Sequence, residues 1–316
     1  MEINLMIEGQ EDVSWDDWTA IARTCEEVGL GGLFRSDHYA SVKTERPRGS
    51  LDAWTTLAGL AAVTSRLRLG TLVSPVTFRH PSLLAKAVAT VDQISNGRAE
   101  LGLGAGWHDY EHDSYGFPFP NDRVRMEMLE EQLEIVTRQW TEESFSFKGR
   151  HYELNECRAL PKPHQSPRPP ILVGGAGGRR SARLAARWGD EYNTTAVTLE
   201  ECRARRSTIA REWEREGRDP GTLRFSMMAR VIVGATEDEV VARARRLMKG
   251  SGESGDPRAW LREHSDRWVV GTPQQALDRL GELSEAGVDR VMLQNLLHGD
   301  LDAVAVLGNE VAPHLG

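Results

Sequence analysis

Residues 171–193, ILVGGAGGRRSARLAARWGDEYN, hold one repeat of the pattern that decides the fold. Ile171 to Val173 is a short apolar strand, a glycine-rich turn follows, a helix begins at about Arg180, and residues 190–193 offer the next very short strand. The same rhythm recurs in both directions. Toward the N-terminus, Ile3 to Ile7 reads as a strand, and Ser14 as an N-cap before Trp18, Ile21, Ala22, Cys25 and Val28 at helical spacing, with Gly29 placed to stop the helix. Further strands read at Leu33–Phe34, Leu67–Val73 and Ala99–Leu103. Leu51, Trp54, Leu57 and Ala61 mark one helix face, Pro81 opens another helix, and Leu129, Leu133, Val136 and Trp140 mark a third stripe. Toward the C-terminus, strands read at Phe225–Val233 and Val291–Leu293. Thr236 with Glu239 and Thr272 with Gln275 fit the capping box, and Pro273 suits a first turn. Glu27-Val28-Gly29 and Glu285-Ala286-Gly287 repeat one helix-stop-strand junction. Eight strands alternating with helices over 316 residues predict a (β/α)8 TIM barrel, α/β in class, with a doubly wound sheet as the other arrangement that alternation permits. Residues 1–316 read as a single barrel domain, with an insert at about 141–170 and an irregular stretch at about 250–268.

Composition narrows the class of function. Thirty-nine basic against 47 acidic residues give a net charge of −8, which argues against a nucleic-acid coat or a membrane-surface protein. Cys25, Cys157 and Cys202 are too few and too scattered for a disulfide framework or a cysteine-rich zinc site, so they read as reduced thiols of a cytoplasmic protein. MEINLMIEGQ lacks the basic and apolar regions of a signal peptide. No apolar run approaches the ~18 residues of a spanning helix, so a soluble chain is expected.

In a barrel, chemistry sits on the loops after the strands' C-terminal ends. Arg35-Ser36-Asp37-His38-Tyr39 follows the second strand. There Asp37 and His38 pair a carboxylate with an imidazole able to exchange protons near neutral pH. Gly70-Thr71-Leu72-Val73-Ser74-Pro75 offers small and β-branched residues that let a flat ligand approach, or simply a buried strand ending at a proline. Gly102-Leu103-Gly104-Ala105-Gly106-Trp107 does not match the dinucleotide fingerprint. Its glycines relieve crowding or form a backbone wall for a planar cofactor, with Trp107 as a stacking or lid side chain. Gly174-Gly175-Ala176-Gly177-Gly178-Arg179-Arg180 is the strongest local signal: amides at a helix N-terminus bind phosphate, and arginines reinforce the site. His108-Asp109-Tyr110-Glu111-His112 spells an inverted zincin motif, but Gly116 to Pro120 cuts its helix short. No metal is therefore expected, and the histidines suit a pocket.

Taken in order, FRSDHY, LGTLVSPVTFRHP, VDQISNGRAELGLGAGW and PPILVGGAGGRRSARLAARWGDEYN resemble the luciferase-like superfamily of flavin and deazaflavin oxidoreductases. The resemblance covers nearly the whole chain and implies a (β/α)8 barrel with an insertion, of bacterial luciferase-like type. Ser36-Asp37-His38 is similar to the branch that uses coenzyme F420. FMN monooxygenases of the family more often carry a Glu-His-His type sequence there. F420 shuttles hydride at C5 and does not readily activate oxygen, so the resemblance implies hydride transfer to or from a small organic substrate. It places Asp37 against the deazaflavin and Leu72-Val73, with Ser74 beyond, at the family's non-prolyl cis peptide. It places Gly104, Ala105 and Gly106 at the ring edge, Gly174 to Gly178 around the phosphate, and Arg179 and Arg180 near the tail.

One departure bears on substrate. The F420-dependent sugar-phosphate dehydrogenases place an acid where this chain has Trp107, which puts that substrate in doubt. His38, with His108 as the other candidate, is then expected to act as general acid/base. An FMN-dependent monooxygenase is the alternative on the same barrel, and a cofactor-binding protein without catalysis is a further class. Relatives are commonly homodimers, so the resemblance implies a homodimer.

Overall fold

The computed structural model describes residues 1–42, 48–195 and 197–315. Its strands and helices follow in the order β1 (Glu2–Ile7), α1 (Trp15–Glu27), β2 (Gly32–Arg35), α2 (Ala53–Val63), β3 (Arg68–Thr71), β4 (Ser74–Pro75), α3 (Pro81–Ile94), β5 (Ala99–Gly104), α4 (Asp109–Tyr115) and α5 (Asp122–Thr141). The chain continues through β6 (Phe145–Lys148), β7 (Glu153–Cys157), β8 (Ile171–Gly174), α6 (Arg179–Trp188), β9 (Glu191–Thr195), α7 (Leu199–Arg215) and β10 (Arg224–Val233). It ends with α8 (Glu237–Ser251), α9 (Pro257–His264), β11 (Val269–Gly271), α10 (Pro273–Glu285), β12 (Arg290–Gln294) and α11 (Leu301–Val306). Parallel pairing runs β1-β2-β3-β5-β8-β9-β10-β12 and returns to β1, closing an eight-stranded (β/α)8 barrel.

Strand alternation divides the apolar residues into two sets. Leu5, Leu33, Ile171, Val173, Val291 and Leu293 face outward and join the large core beneath the helices. Met6, Phe34, Leu172 and Met292, each one residue away, face inward and fill the barrel with Leu72. Strands buried on both faces explain why the sequence shows apolar runs rather than clean alternation.

Ser14 caps α1 and forms the full box with Asp17, and Thr236 accepts from the amide of Glu239. Two stretches contain more order than their sequence suggested. Within 141–170, β6 and β7 form an antiparallel hairpin, whose turn is held to α5 because the Glu131 carboxylate accepts from the amides of Arg150, His151 and Tyr152 at 2.7, 3.0 and 3.1 Å. Within 250–268, Asp256 caps the amides of Arg258 and Ala259 and starts α9.

Candidate active site at the C-terminal end of the barrel

The C-terminal ends of β2, β3, β5 and β8 and the segments that follow them carry the residues singled out above. Val73 is the pivot of its floor. Pairing leaves β3 at Thr71 and resumes at Ser74, and the Leu72–Val73 peptide between them is cis. A Cβ on Gly104 would stand 2.7 Å from a Val73 methyl, and one on Gly174 would stand 3.0 Å away. These two glycines therefore make room for Val73, and the three residues form one surface across β3, β5 and β8. Ala105 and Gly106 continue that edge, with Gly106 at φ +80.

Asp37 is buried, and its Oδ2 accepts from Ser74 Oγ at 2.6 Å and Arg79 Nη1 at 2.6 Å. Arg79 also reaches Asp52 Oδ2 at 2.6 Å and the Tyr39 hydroxyl at 2.9 Å. Burial works against ionisation of Asp52, but the Thr55 amide and the Arg79 guanidinium hold its carboxyl down to about 2. Asp37 thus ties the β2 and β3 loops together through Ser74 and Arg79. Ser74 is fully buried in the same network, where it also accepts from Trp54 Nε1 at 3.0 Å, so both residues support the mouth from below.

His38 is bound to a buried carboxylate. Its Nδ1 lies 2.6 Å from Glu111 Oε1, with side chains 15% and 1% exposed respectively. Burial alone would lower the imidazole pKa, but the hydrogen bond and charge of Glu111, with Glu8 and Asp37 behind it, raise it above the ordinary value. The edge-on rings of Trp107 and His108 stand 5.7 and 5.8 Å from His38 by centroid. Trp107 is 61% exposed, whereas His108 is buried with its Nε2 unpartnered among the described residues.

The zincin-like run is accounted for by these contacts. The His108 carbonyl accepts from His112 Nδ1 at 2.6 Å, which leaves Nε2 to accept from the Thr77 hydroxyl at 2.6 Å. With both His112 nitrogens engaged and Glu111 committed to His38, the run has no ligand set to offer a metal. No group of three or more metal-ligating side chains occurs among the described residues.

The glycine-rich loop leads from β8 into α6. Gly175 N–H donates to the Asn193 carbonyl at 3.0 Å and Gly177 N–H to the Tyr192 hydroxyl at 2.8 Å, which fixes the loop. Gly178 precedes the first turn of α6 with no side-chain cap, and a Cβ there would meet nothing within 4 Å. The two arginines expected to reinforce the loop are engaged elsewhere. Arg179, 74% exposed, donates to Glu212 at 3.0 Å, and Arg180 reaches the Arg123 carbonyl at 3.3 Å. Arg205 of α7 also stands beside the loop, with its stem over Gly177 and its guanidinium donating to Thr194 Oγ1. Sequence reasoning missed Arg205, one of several arginines on an exposed-looking helix. It also missed Arg79, and weighed Glu111 only as part of the metal motif.

A family profile described as luciferase-like monooxygenase matches residues 3–290. The chain is 35% identical over 184 residues to an F420-dependent glucose-6-phosphate dehydrogenase of Amycolatopsis mediterranei, covering 57% of this chain and 53% of that relative. It is 29% identical over 286 residues to an FMNH2-dependent dimethylsulfone monooxygenase of Pseudomonas putida, covering 80% of this chain and 76% of the other. It is 38% identical over 156 residues to an uncharacterized protein of Mycobacterium tuberculosis, covering 49% of this chain and spanning 54%, about half, of that relative's length. In three dimensions it is similar to the monooxygenase RslO1 of Streptomyces bottropensis over 100% of both chains, with a TM-score of 0.84 at 23% identity, a likeness of fold.

Proposed function

We propose that the chain, which belongs to the luciferase-like monooxygenase family, is an enzyme and within that family an F420-dependent oxidoreductase. Its substrate would be a small organic molecule that gains or loses hydride at a carbon bearing a carbonyl or hydroxyl oxygen. The observation that carries this is His38 held at 2.6 Å by the buried Glu111. Hydride exchange at such a carbon requires a proton to be placed on or taken from the oxygen, and an imidazole of raised pKa does this near neutral pH. The 35% identity to an F420-dependent dehydrogenase supports the same choice.

The residues present fit the cofactor. Gly178 leaves the first turn of α6 without a side-chain cap and with open space at its Cα, as a phosphodiester against backbone amides needs. Gly174 to Gly178 would hold that group, with Arg205 as its cation. Val73, Gly104 and Gly174 would support the flat ring, and Ala105, Gly106 and Trp107 would border it. When bound, F420 supplies a two-electron hydride carrier. Asp37 keeps the β2 and β3 loops in register through Arg79 and Ser74. His38 holds or releases the proton, with His108 beside it.

The FMN-dependent monooxygenase alternative is favoured by the longer alignment with the dimethylsulfone enzyme. Titration of the purified chain with F420 and with FMN separates the two. Tight F420 binding with weak FMN binding supports the deazaflavin enzyme, whereas preferential FMN binding with oxygen uptake overturns it. The proposal includes a cytoplasmic homodimer, read by light scattering and fractionation. No helix among the described residues is long and apolar enough to cross a membrane.

A further inference from the structure

Glu111 makes three contacts from one buried carboxylate. Oε1 lies 2.6 Å from His38 Nδ1, and Oε2 accepts from the amides of Tyr39 at 2.9 Å and Ala40 at 3.4 Å. It stands on α4, after β5, while its three partners follow β2. We propose that Glu111 is the positioning residue of this site: it fixes His38 as the Nδ1–H tautomer, leaves Nε2 for the substrate oxygen, and locks the β2 loop to α4. The proposal rests on the reading of His38 as the proton-active group and is independent of which cofactor binds.

The chemistry follows from the donor inventory. An ionised carboxylate only accepts, so His38 Nδ1 must donate to it, and Nε2 is then the lone-pair nitrogen of the neutral ring. Glu111 Oε2 accepts from two backbone amides, so both oxygens of the carboxylate serve as acceptors. On protonation of His38 the new proton goes to Nε2, the nitrogen with no protein partner among the described residues. It passes from there to an alkoxide oxygen formed by hydride addition to a carbonyl, and hydroxyl oxidation returns it. The charged groups facing His38 are Glu111 from α4, Glu8 from the end of β1 and Asp37 from the end of β2. Glu8 has no cationic partner among the described residues, and is held by Gln10 at 2.8 Å and by Gln294. Arg79 of the β3 loop is committed to Asp37 and Asp52. The charges that act on His38 are all acidic, which disfavours an anionic reacting end and suits a neutral carbonyl or hydroxyl, and the His108 ring, with its Nε2 unpartnered among the described residues, stands 5.8 Å from His38 by centroid.

The test is an NMR titration of ring-labelled histidine in the purified chain and in Glu111→Gln and Glu111→Asp. Wild-type His38 should titrate above about 6.5 and, at high pH, show Nδ1–H as the protonated nitrogen. Glu111→Gln should lower that pKa by about one to three units, and Glu111→Asp should restore most of the shift. A pH–rate limb that moves with the NMR pKa would add support. An unchanged His38 pKa in a folded Glu111→Gln chain would overturn the proposal, as would an Nε2–H tautomer in the wild type. If Glu111→Gln does not fold, the wild-type tautomer alone decides. A chain that binds neither F420 nor FMN would sink the proposed function while leaving this measurement intact.

Discussion

Single residues at the mouth are each under opposed demands, and His38 shows it most directly. Burial favours the neutral ring, whereas Glu111, Glu8 and Asp37 favour the cation, and the acids win. A folded pKa above the unfolded value means that protonated His38 contributes stability that is fully present below about pH 6.5 and is lost as pH rises through the folded pKa. Replacing it should therefore cost more stability at pH 5.5 than at pH 8.5. For catalysis, His38→Gln should lower turnover by about 10²–10⁴-fold while changing F420 affinity less than about threefold, read by stopped-flow hydride transfer and fluorescence titration. Retained turnover would remove His38 from the proton path. The glycines differ sharply from one another. Gly104→Ala sets a Cβ 2.7 Å from Val73 and should cost about 1–3 kcal/mol in denaturant unfolding and weaken cofactor binding. Gly178→Ala meets nothing within 4 Å at an ordinary φ of −67, so its stability should stay within about 0.5 kcal/mol of wild type. Equal losses for the two would contradict the role given to Val73.

Elements decide how much of this was legible beforehand. Most of the barrel strands were legible because they carry a short apolar run between a glycine or cap signal and the next helix, as at Ile3–Ile7 and Ile171–Val173, whereas β9, EYNTT, was legible only from its place in the alternation. The β6–β7 hairpin was not, because its turn is held by Glu131 from another element, a contact with no local signature. Helix α9 was obscured because Leu261 is its one buried residue, although Asp256-Pro257 was a start signal in plain view. The site divides the same way. Strand-end position revealed Asp37, His38, Val73 and the glycine loop, but the Glu111–His38 contact spans 73 residues and cannot be read from spacing. The α6 loop gives the corresponding prediction. Sequence proximity favours Arg179, whereas the structure puts Arg205 beside Gly177 and sends Arg179 to Glu212. If Arg205 holds the cofactor's phosphodiester, Arg205→Met should weaken F420 binding about tenfold or more and reduce its salt dependence, while Arg179→Ala leaves both near wild type. Calorimetric titration at two salt concentrations checks this, and the reverse ranking would return the site to Arg179.

At the scale of the whole molecule, the barrel separates chemistry at one end from a charged plug at the other. Glu2, Arg68, Glu100, Glu191, Arg224 and Arg290 are inward residues at the starts of six strands, so they form the layer farthest from the mouth. Arg290, fully buried, donates to Glu100 at 2.8 Å and pairs with Glu191 at 3.1 Å, while Arg68 also donates to Glu100. The two acids are treated unequally. Burial opposes ionisation of Glu100, but Arg290 and Arg68 hold its carboxyl down to about 2. Burial pushes Glu191 up to about 7; Arg290 opposes this and the Glu100 charge adds to it. The signs then differ. Glu100 contributes stability that is present above its unfolded pKa and lost as pH falls from about 4.5 toward 2. Glu191, favoured in its protonated form, contributes stability that is full below about pH 4 and is lost as pH rises through about 7. Glu191→Gln removes that titration while keeping an amide of similar shape. Melting temperatures of the two chains should therefore be close at pH 5 and diverge toward pH 8.5 in favour of the variant. Because the plug lies at the end of the barrel opposite the mouth, cofactor affinity should be the same for both chains throughout. A stability difference that does not change between pH 5 and 8.5 would mean that Glu191 is ionised across the range, with Arg290 outweighing both burial and Glu100.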